Sequence, residues 1–286
     1  MDTFMYGFWG EGHTWPFQNN PFPDYPTAEQ TWIRMFEVQS EHWRRTPLVT
    51  NTQPDFSRVG NSELVDRTVR SWNWLRTDTI FIENEQIETL SNRPPWVGAV
   101  VEAGMSDGSP GSLHIQEGIT YTDNVIAHVI DVGPNYWSLW NFHKISADNI
   151  LRYYHQYPHG IDQISRRIGY RVRPSFIWQY GGRDQQGLIV GFANDGCAGV
   201  PGALRVYVTS DDGKEMAGGS LDPGYPLPGK IRQAQFVLPK GANWKGLKLR
   251  AEIEVKGVRH PVRWACQQKV NPDGSLTLRP NLRGSS

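Results

Sequence analysis

Two carboxylates stand where apolar runs break into glycine. Glu11 lies in Gly10-Glu11-Gly12 after the run Phe4-Met5-Tyr6-Gly7-Phe8-Trp9, and Glu102 ends Trp96-Val97-Gly98-Ala99-Val100-Val101 just before Ala103-Gly104. Apolar runs of this length beside glycine read as buried strands opening into loops, which is where βα barrels carry their catalytic groups. Two carboxyl groups so placed suit glycoside hydrolysis: one protonates the departing oxygen while the other attacks the anomeric carbon. The first needs a raised pKa and the second must stay ionised. Trp9 and Trp15 beside Glu11 supply apolar surroundings of the kind that raise a carboxyl pKa.

Residues that could hold a sugar lie near the same strand ends. They are Trp9, His13 and Trp15 around Glu11, Asn51 and Gln53 after Leu48-Val49-Thr50, and Trp140, Asn141 and His143 after the last strand of the first half. Asn and Gln also serve as turn formers. Glu83 and Glu85 read as solvated loop charge, and Trp137 reads as core. His13, His114 and His143 show neither His-x-x-x-His nor Glu-x-x-His spacing, so no metal site is expected. The chemistry calls for no cofactor.

The elements that must position these groups alternate over residues 1–169. Strands are expected at Phe4 to Trp9, Leu48 to Thr52, Thr79 to Ile82, Trp96 to Glu102 and Tyr136 to Trp140. Helices are expected from about Thr27 to Arg45, from Asn61 to about Leu75, from Tyr121 to Val132 and over Ala147 to Ile168, the first entered through a capping box at Thr27-Ala28-Glu29-Gln30. Five strands, four of them followed by an expected helix, read as about five βα units and predict a parallel α/β domain. Over residues 170–286 short runs with period-two alternation, separated by Asp211-Asp212-Gly213 and Pro272-Asp273-Gly274, predict an antiparallel β-sandwich. Trp178, Tyr180, Trp244 and Trp264 offer a carbohydrate-binding face there, with packing in the sandwich core as the preferred reading.

Composition narrows the partners. Over 286 residues, 29 basic and 29 acidic side chains cancel, which argues against nucleic acid or an anionic membrane held by bulk electrostatics. The 12 Trp and 11 Tyr are many for this length and suit stacking on sugar faces. Only Cys197 and Cys266 are present, too few for a sulfur-ligated metal cluster, and they can pair or stay free. No run approaches the roughly 20 apolar residues of a membrane span, and no signal peptide is visible. Oligomeric state is left open.

The order strand-Gly-Glu-Gly-His-Thr, a later strand ending in Val-Glu-Ala-Gly, a Trp-bearing last strand and Arg-Ile-Gly-Tyr-Arg-Val resembles the glycoside-hydrolase-like (β/α)8 proteins. More narrowly it is similar to those glycosidase-like proteins that carry a C-terminal sandwich of unknown function. The resemblance implies a retaining mechanism, with Glu11 as acid/base after the fourth barrel strand and Glu102 as nucleophile after the seventh. It also implies that the first three βα units are missing and that the chain is N-terminally truncated, with secretion or a periplasmic location if a signal peptide preceded it. Asn usually precedes the acid/base in that clan; here Gly10 does, leaving His13 or Asn51 to recognise the sugar 2-hydroxyl. The expected function is hydrolysis of a neutral poly- or oligosaccharide. The alternatives are a non-catalytic carbohydrate-binding protein and an inactive glycosidase fragment.

Overall fold

Apolar side chains recurring every three or four residues build the helices of the first half. Along α1 (Tyr25–His42), Ala28, Trp32, Ile33 and Phe36 fall on one buried stripe, and the last three cluster with Leu48 and Leu64. A computed structural model describes residues 1–3, 25–52, 63–77, 84–102, 119–138, 148, 151, 154–155, 158–182 and 185–279. Within these, α1 is followed by β1 (Val49–Asn51), α2 (Glu63–Arg70), β2 (Trp74–Thr77), α3 (Asn84–Ser91), β3 (Ala99–Glu102), α4 (Ile119–Val132), β4 (Tyr136–Ser138) and α5 (Pro158–Arg167).

The four strands form one parallel sheet in sequential order, β1-β2-β3-β4. Ahead of them Asp2 makes a parallel bridge to Val49, with Thr3 N donating to Val49 O and Val49 N to Met1 O. Leu90 of α3 and Val129 and Val132 of α4 bury Ala99 and Val101. Thr68 of α2 shares a 2.9 Å hydroxyl contact with Thr50 of β1. The architecture is therefore mixed: a parallel α/β part followed by antiparallel sheets. A closed barrel is not formed by the described residues, and the expected strand Phe4 to Trp9 lies outside them.

Several expected boundaries move. The helix expected from Asn61 to about Leu75 ends at Arg70, and β2 occupies Trp74–Thr77; the strand expected at Thr79 to Ile82 lies outside the described residues. The cause is the end of α2. Trp72 adopts φ 58°, Trp72 N donates to Val69 O and Asn73 N to Thr68 O, the paired bonds of a Schellman stop. A tryptophan in the left-handed region costs about 1 kcal/mol or more, so composition gives no warning of this stop. The capping box fails too, since α1 begins at Tyr25; Glu29 instead accepts from Leu64 N at 3.5 Å, at the start of α2. Helix α3 was not expected, and Glu85 falls within it.

The second half comprises β5 (Val172–Gly181), β6 (Gln186–Asn194), β7 (Ala203–Thr209), β8 (Glu215–Ser220), β9 (Ile231–Leu238), β10 (Lys248–Val255), β11 (Val258–Pro261) and β12 (Leu276–Thr277). One antiparallel sheet runs β11-β10-β7-β8 with β12 also on β10; the other is β5-β6-β9. Strict alternation in β10 sends Leu249, Ala251, Ile253 and Val255 inward. They join Leu188, Val190 and Phe192 of β6, Val206 of β7 and Phe236 of β9 in one core shared by both sheets. Trp264 is buried in that core, and Trp244 packs against it.

The two parts meet at the N-terminal edge of the parallel sheet. Trp74, the first residue of β2, packs against the antiparallel core. Asn73, fully buried, accepts from Leu48 N at 2.9 Å and from Lys256 Nζ at 2.8 Å, and donates to Ser40 Oγ at 3.2 Å. Asn135, just before β4, accepts from Ala99 N at 2.9 Å and donates to Gly199 O at 3.5 Å. Burial pushes the Lys256 ammonium pKa down, and the bond to Asn73 compensates part of that desolvation. Asn73→Ala strands a buried backbone N–H and a half-buried ammonium, so it is expected to destabilise the protein by about 2–4 kcal/mol. Urea or thermal unfolding checks this, with Lys256→Met costing less because it removes the charge together with the bond.

Candidate functional site

With one edge of the parallel sheet docked, the opposite edge carries the strand ends. Register sets Asn51, Arg76, Val100 and Tyr136 in one row across β1 to β4, and brings Glu102 level with Ser138 two residues further on. With strands about 4.8 Å apart and about 3.3 Å of rise per residue, the backbone of Glu102 lies roughly 8 Å from that of Arg76 and roughly 12 Å from that of Asn51. Glu102 is thus the last residue of its strand, as expected from the sequence.

The row is unusually polar for a buried sheet. Asn51 is 3% exposed, Thr50, Thr52 and Thr77 are fully buried, and Thr52 donates through both its N–H (2.9 Å) and its hydroxyl (3.0 Å) to Arg76 O. Arg76 pairs with Asp2 at 3.0 Å. The two ends of this pair differ: the arginine side chain is 12% exposed and the aspartate 61%. Trp137 packs beside the Ala99 and Val101 cluster, in line with its reading as core.

Below the row, at the docked edge, Trp74 covers Gly98 so closely that a Cβ there would stand 2.5 Å from the indole. The same ring stacks on Tyr136 with centroids 6.2 Å apart. This aromatic floor joins β2, β3 and β4 across the sheet.

Of the sequence-derived site residues, Asn51 and the backbone of Glu102 are placed on this edge. Glu11, Trp9, His13, Trp15, Gln53, Trp140, Asn141 and His143 lie outside the described residues, as do His114 and Glu83. Arg76 was not among the sequence-derived residues, because the helix from Asn61 was expected to run to about Leu75, over the start of the strand that carries it. Cys197 and Cys266 are both free thiols. Burial raises the pKa of Cys197, which sits 3.6 Å from Pro134 O in the docking seam.

No family model matches the chain, and no curated protein matches it. Among solved structures, a β-glucosidase from Streptomyces venezuelae, DesR, in complex with D-glucose gives a TM-score of 0.20 at 8% identity, over 75% of this chain and 35% of that one. β-Glucosidase 3B from Thermotoga neapolitana, in complex with glucose, gives 0.21 at 11% identity over 84% and 44%. The GH3 β-glucosidase of Bifidobacterium adolescentis gives 0.20 at 10% identity over 93% and 44%. This chain spans less than half the length of each. TM-scores of 0.20 and 0.21 carry no argument about this protein, whose site is read from its own residues. No described helix is long and apolar enough to cross a membrane.

The asymmetry of the Arg76–Asp2 pair yields a test. Asp2→Asn removes an exposed partner and is expected to change stability by less than about 1 kcal/mol. Arg76→Met should cost more, because the guanidinium is largely buried and the polar row is built around its strand. Paired chemical denaturation curves decide between them.

Proposed function

We propose that this protein is a retaining glycoside hydrolase acting on a neutral poly- or oligosaccharide, with Glu102 as nucleophile and Glu11 as acid/base. The observation that carries the reading is the position of Glu102, the last residue of β3, at the C-terminal edge of a parallel sheet. The sequential strand order supports a barrel wall, since doubly wound sheets reverse their order at a switch point. On this reading residues 1–169 are a partial (β/α)8 catalytic domain and residues 170–286 a β-sandwich domain.

Arg76, paired with Asp2, stands on the strand beside the proposed nucleophile, and a nucleophile must be charged to attack. In the first step the Glu102 carboxylate bonds to the anomeric carbon as the glycosidic C–O bond breaks, and Glu11 donates its proton to the leaving oxygen. In the second step Glu11 takes a proton from water, whose oxygen displaces Glu102 from the sugar and restores both acids. Asn51, Gln53, His13, Trp9, Trp15, Trp140, Asn141 and His143 are assigned to substrate contact.

The division of labour is testable with aryl and alkyl glycosides. Glu102→Gln should abolish turnover, since no glycosyl-enzyme can form. Glu11→Gln should spare substrates with good leaving groups while hydrolysis of unactivated ones falls by about 10² to 10⁴. Azide should rescue Glu11→Ala and yield a glycosyl azide of retained configuration; an inverted product overturns the assignment.

A further inference from the structure

The outer face of the β5-β6-β9 sheet holds an aromatic strip that the core does not use. Phe176, Trp178 and Tyr180 alternate along β5, opposite Gly191, Ile189 and Gly187 of β6, which in turn face Gln233, Gln235 and Val237 of β9. Trp178 is 60% exposed, whereas Trp264 is buried in the core. The preference for packing, right for Trp264, does not hold for Trp178.

The strip is built in place. A Cβ on Gly191 would stand 2.3 Å from the Phe176 ring, and one on Gly187 would meet Phe236 O at 2.0 Å and the Tyr180 hydroxyl and ring at 2.5 Å and 2.7 Å. The Tyr180 hydroxyl accepts from Gln235 Nε2 at 3.0 Å and donates to Phe236 O at 3.5 Å. Trp178 leans on Phe176 with centroids 4.9 Å apart and planes tilted by 34°. Two glycines thus seat two rings on the sheet, and the third ring stands proud between them.

We propose that this face binds an extended, uncharged polysaccharide chain, with Trp178 as the principal stacking ring, Phe176 and Tyr180 flanking it, and Gln233 and Gln235 offering amides to sugar hydroxyls. Three points select this occupant. The rows through Phe176, Trp178 and Tyr180 carry aromatic, aliphatic, glycine and amide groups without a charge, which matches a neutral ligand and offers nothing to an anionic one. The rings recur at every second residue, spanning about 14 Å in a line, the shape of a linear chain. The face is about 14 Å by 10 Å, far short of the roughly 800 Å² per partner that a stable protein interface buries. Flat rings with an apolar body and a polar tip are suited to the alternating C–H and O–H surfaces of a sugar. The ligand class follows the hydrolase reading, but binding here needs no turnover.

The test is native gel retardation of the full chain in gels cast with hydroxyethyl cellulose, xylan or galactomannan, with polygalacturonate as the anionic control. Retardation is expected in at least one neutral gel and not in polygalacturonate. Trp178→Ala should weaken it about tenfold or more, as loss of a principal stacked ring would, with an unchanged melting temperature because the side chain is exposed. Tyr180→Phe, which keeps the ring, should weaken it less. The proposal is overturned if no neutral gel retards the protein, if Trp178→Ala migrates as wild type, or if sedimentation shows a self-association that Trp178→Ala abolishes, which would make a second copy the occupant. Retardation by an otherwise inactive protein would sink the hydrolase reading and leave this one standing.

Discussion

Close backbone approach at the N-terminal edge of the parallel sheet is the constraint on which the rest depends. Helices α3 and α4 both end there, and helix ends leave carbonyls without intrahelical partners. Arg93 serves both ends: its guanidinium donates to Leu90 O, Val132 O and Gly133 O, and its Nε to Val97 O. A cation at two helix C-termini is favoured by both dipoles. Burial lowers its pKa to about 10, which still leaves it charged at neutral pH. Gly133, at φ 65°, ends α4, and a Cβ there would meet Cys197 O at 2.5 Å. Glycine is needed at that position both for its conformation and for the approach of the antiparallel part.

Asn194 closes the same seam from the other side. Its side chain accepts from Arg171 N and Gly196 N and donates to Ala198 O and Pro226 O, so a fully buried amide uses all four of its hydrogen-bonding positions. Cys197 N to Arg167 O and Gly169 N to Pro134 O tie the loops between them. Among the described residues these bonds between the two parts lie at the sheet edge away from Glu102.

What the sequence revealed follows from which signals are periodic. Apolar repeats located α1, α4 and the inward faces of β6, β7, β9 and β10, because burial on one face imposes a period of 3.6 or 2. Elements without that signal were missed. Strand β8 is Glu-Met-Ala-Gly-Gly-Ser, held by pairing with β7 rather than by its own propensity. Strand β11, Val-Arg-His-Pro, is a hairpin partner whose turn uses Lys256 at φ 47° followed by Gly257 at φ 73°. Lysine is a poor residue for that turn, and its place is explained by the long-range bond to Asn73, which no local pattern reveals. The position of Glu102 was legible because a strand end and a glycine coincide there, whereas Arg76 was hidden by the tryptophan that stops α2.

The strongest physical argument for a site at this edge is a broken rule. Strands of a parallel sheet covered on its faces usually read as near-continuous aliphatic runs, and β3 obeys with Ala99, Val100 and Val101. β2 beside it and β1 beyond that run out through Thr50, Asn51, Thr52, Arg76 and Thr77, four of which are buried at 3% exposure or less. Each buried polar group costs stability unless it is bonded, and Thr50 is held by Thr68 Oγ1 and Thr52 by Arg76 O. Departures from local rules of this kind are found most often at functional sites. β2 pairs directly with β3, the strand that ends in Glu102, and β1 lies one strand further out, so the departure from an aliphatic core and the candidate nucleophile share one edge of the sheet.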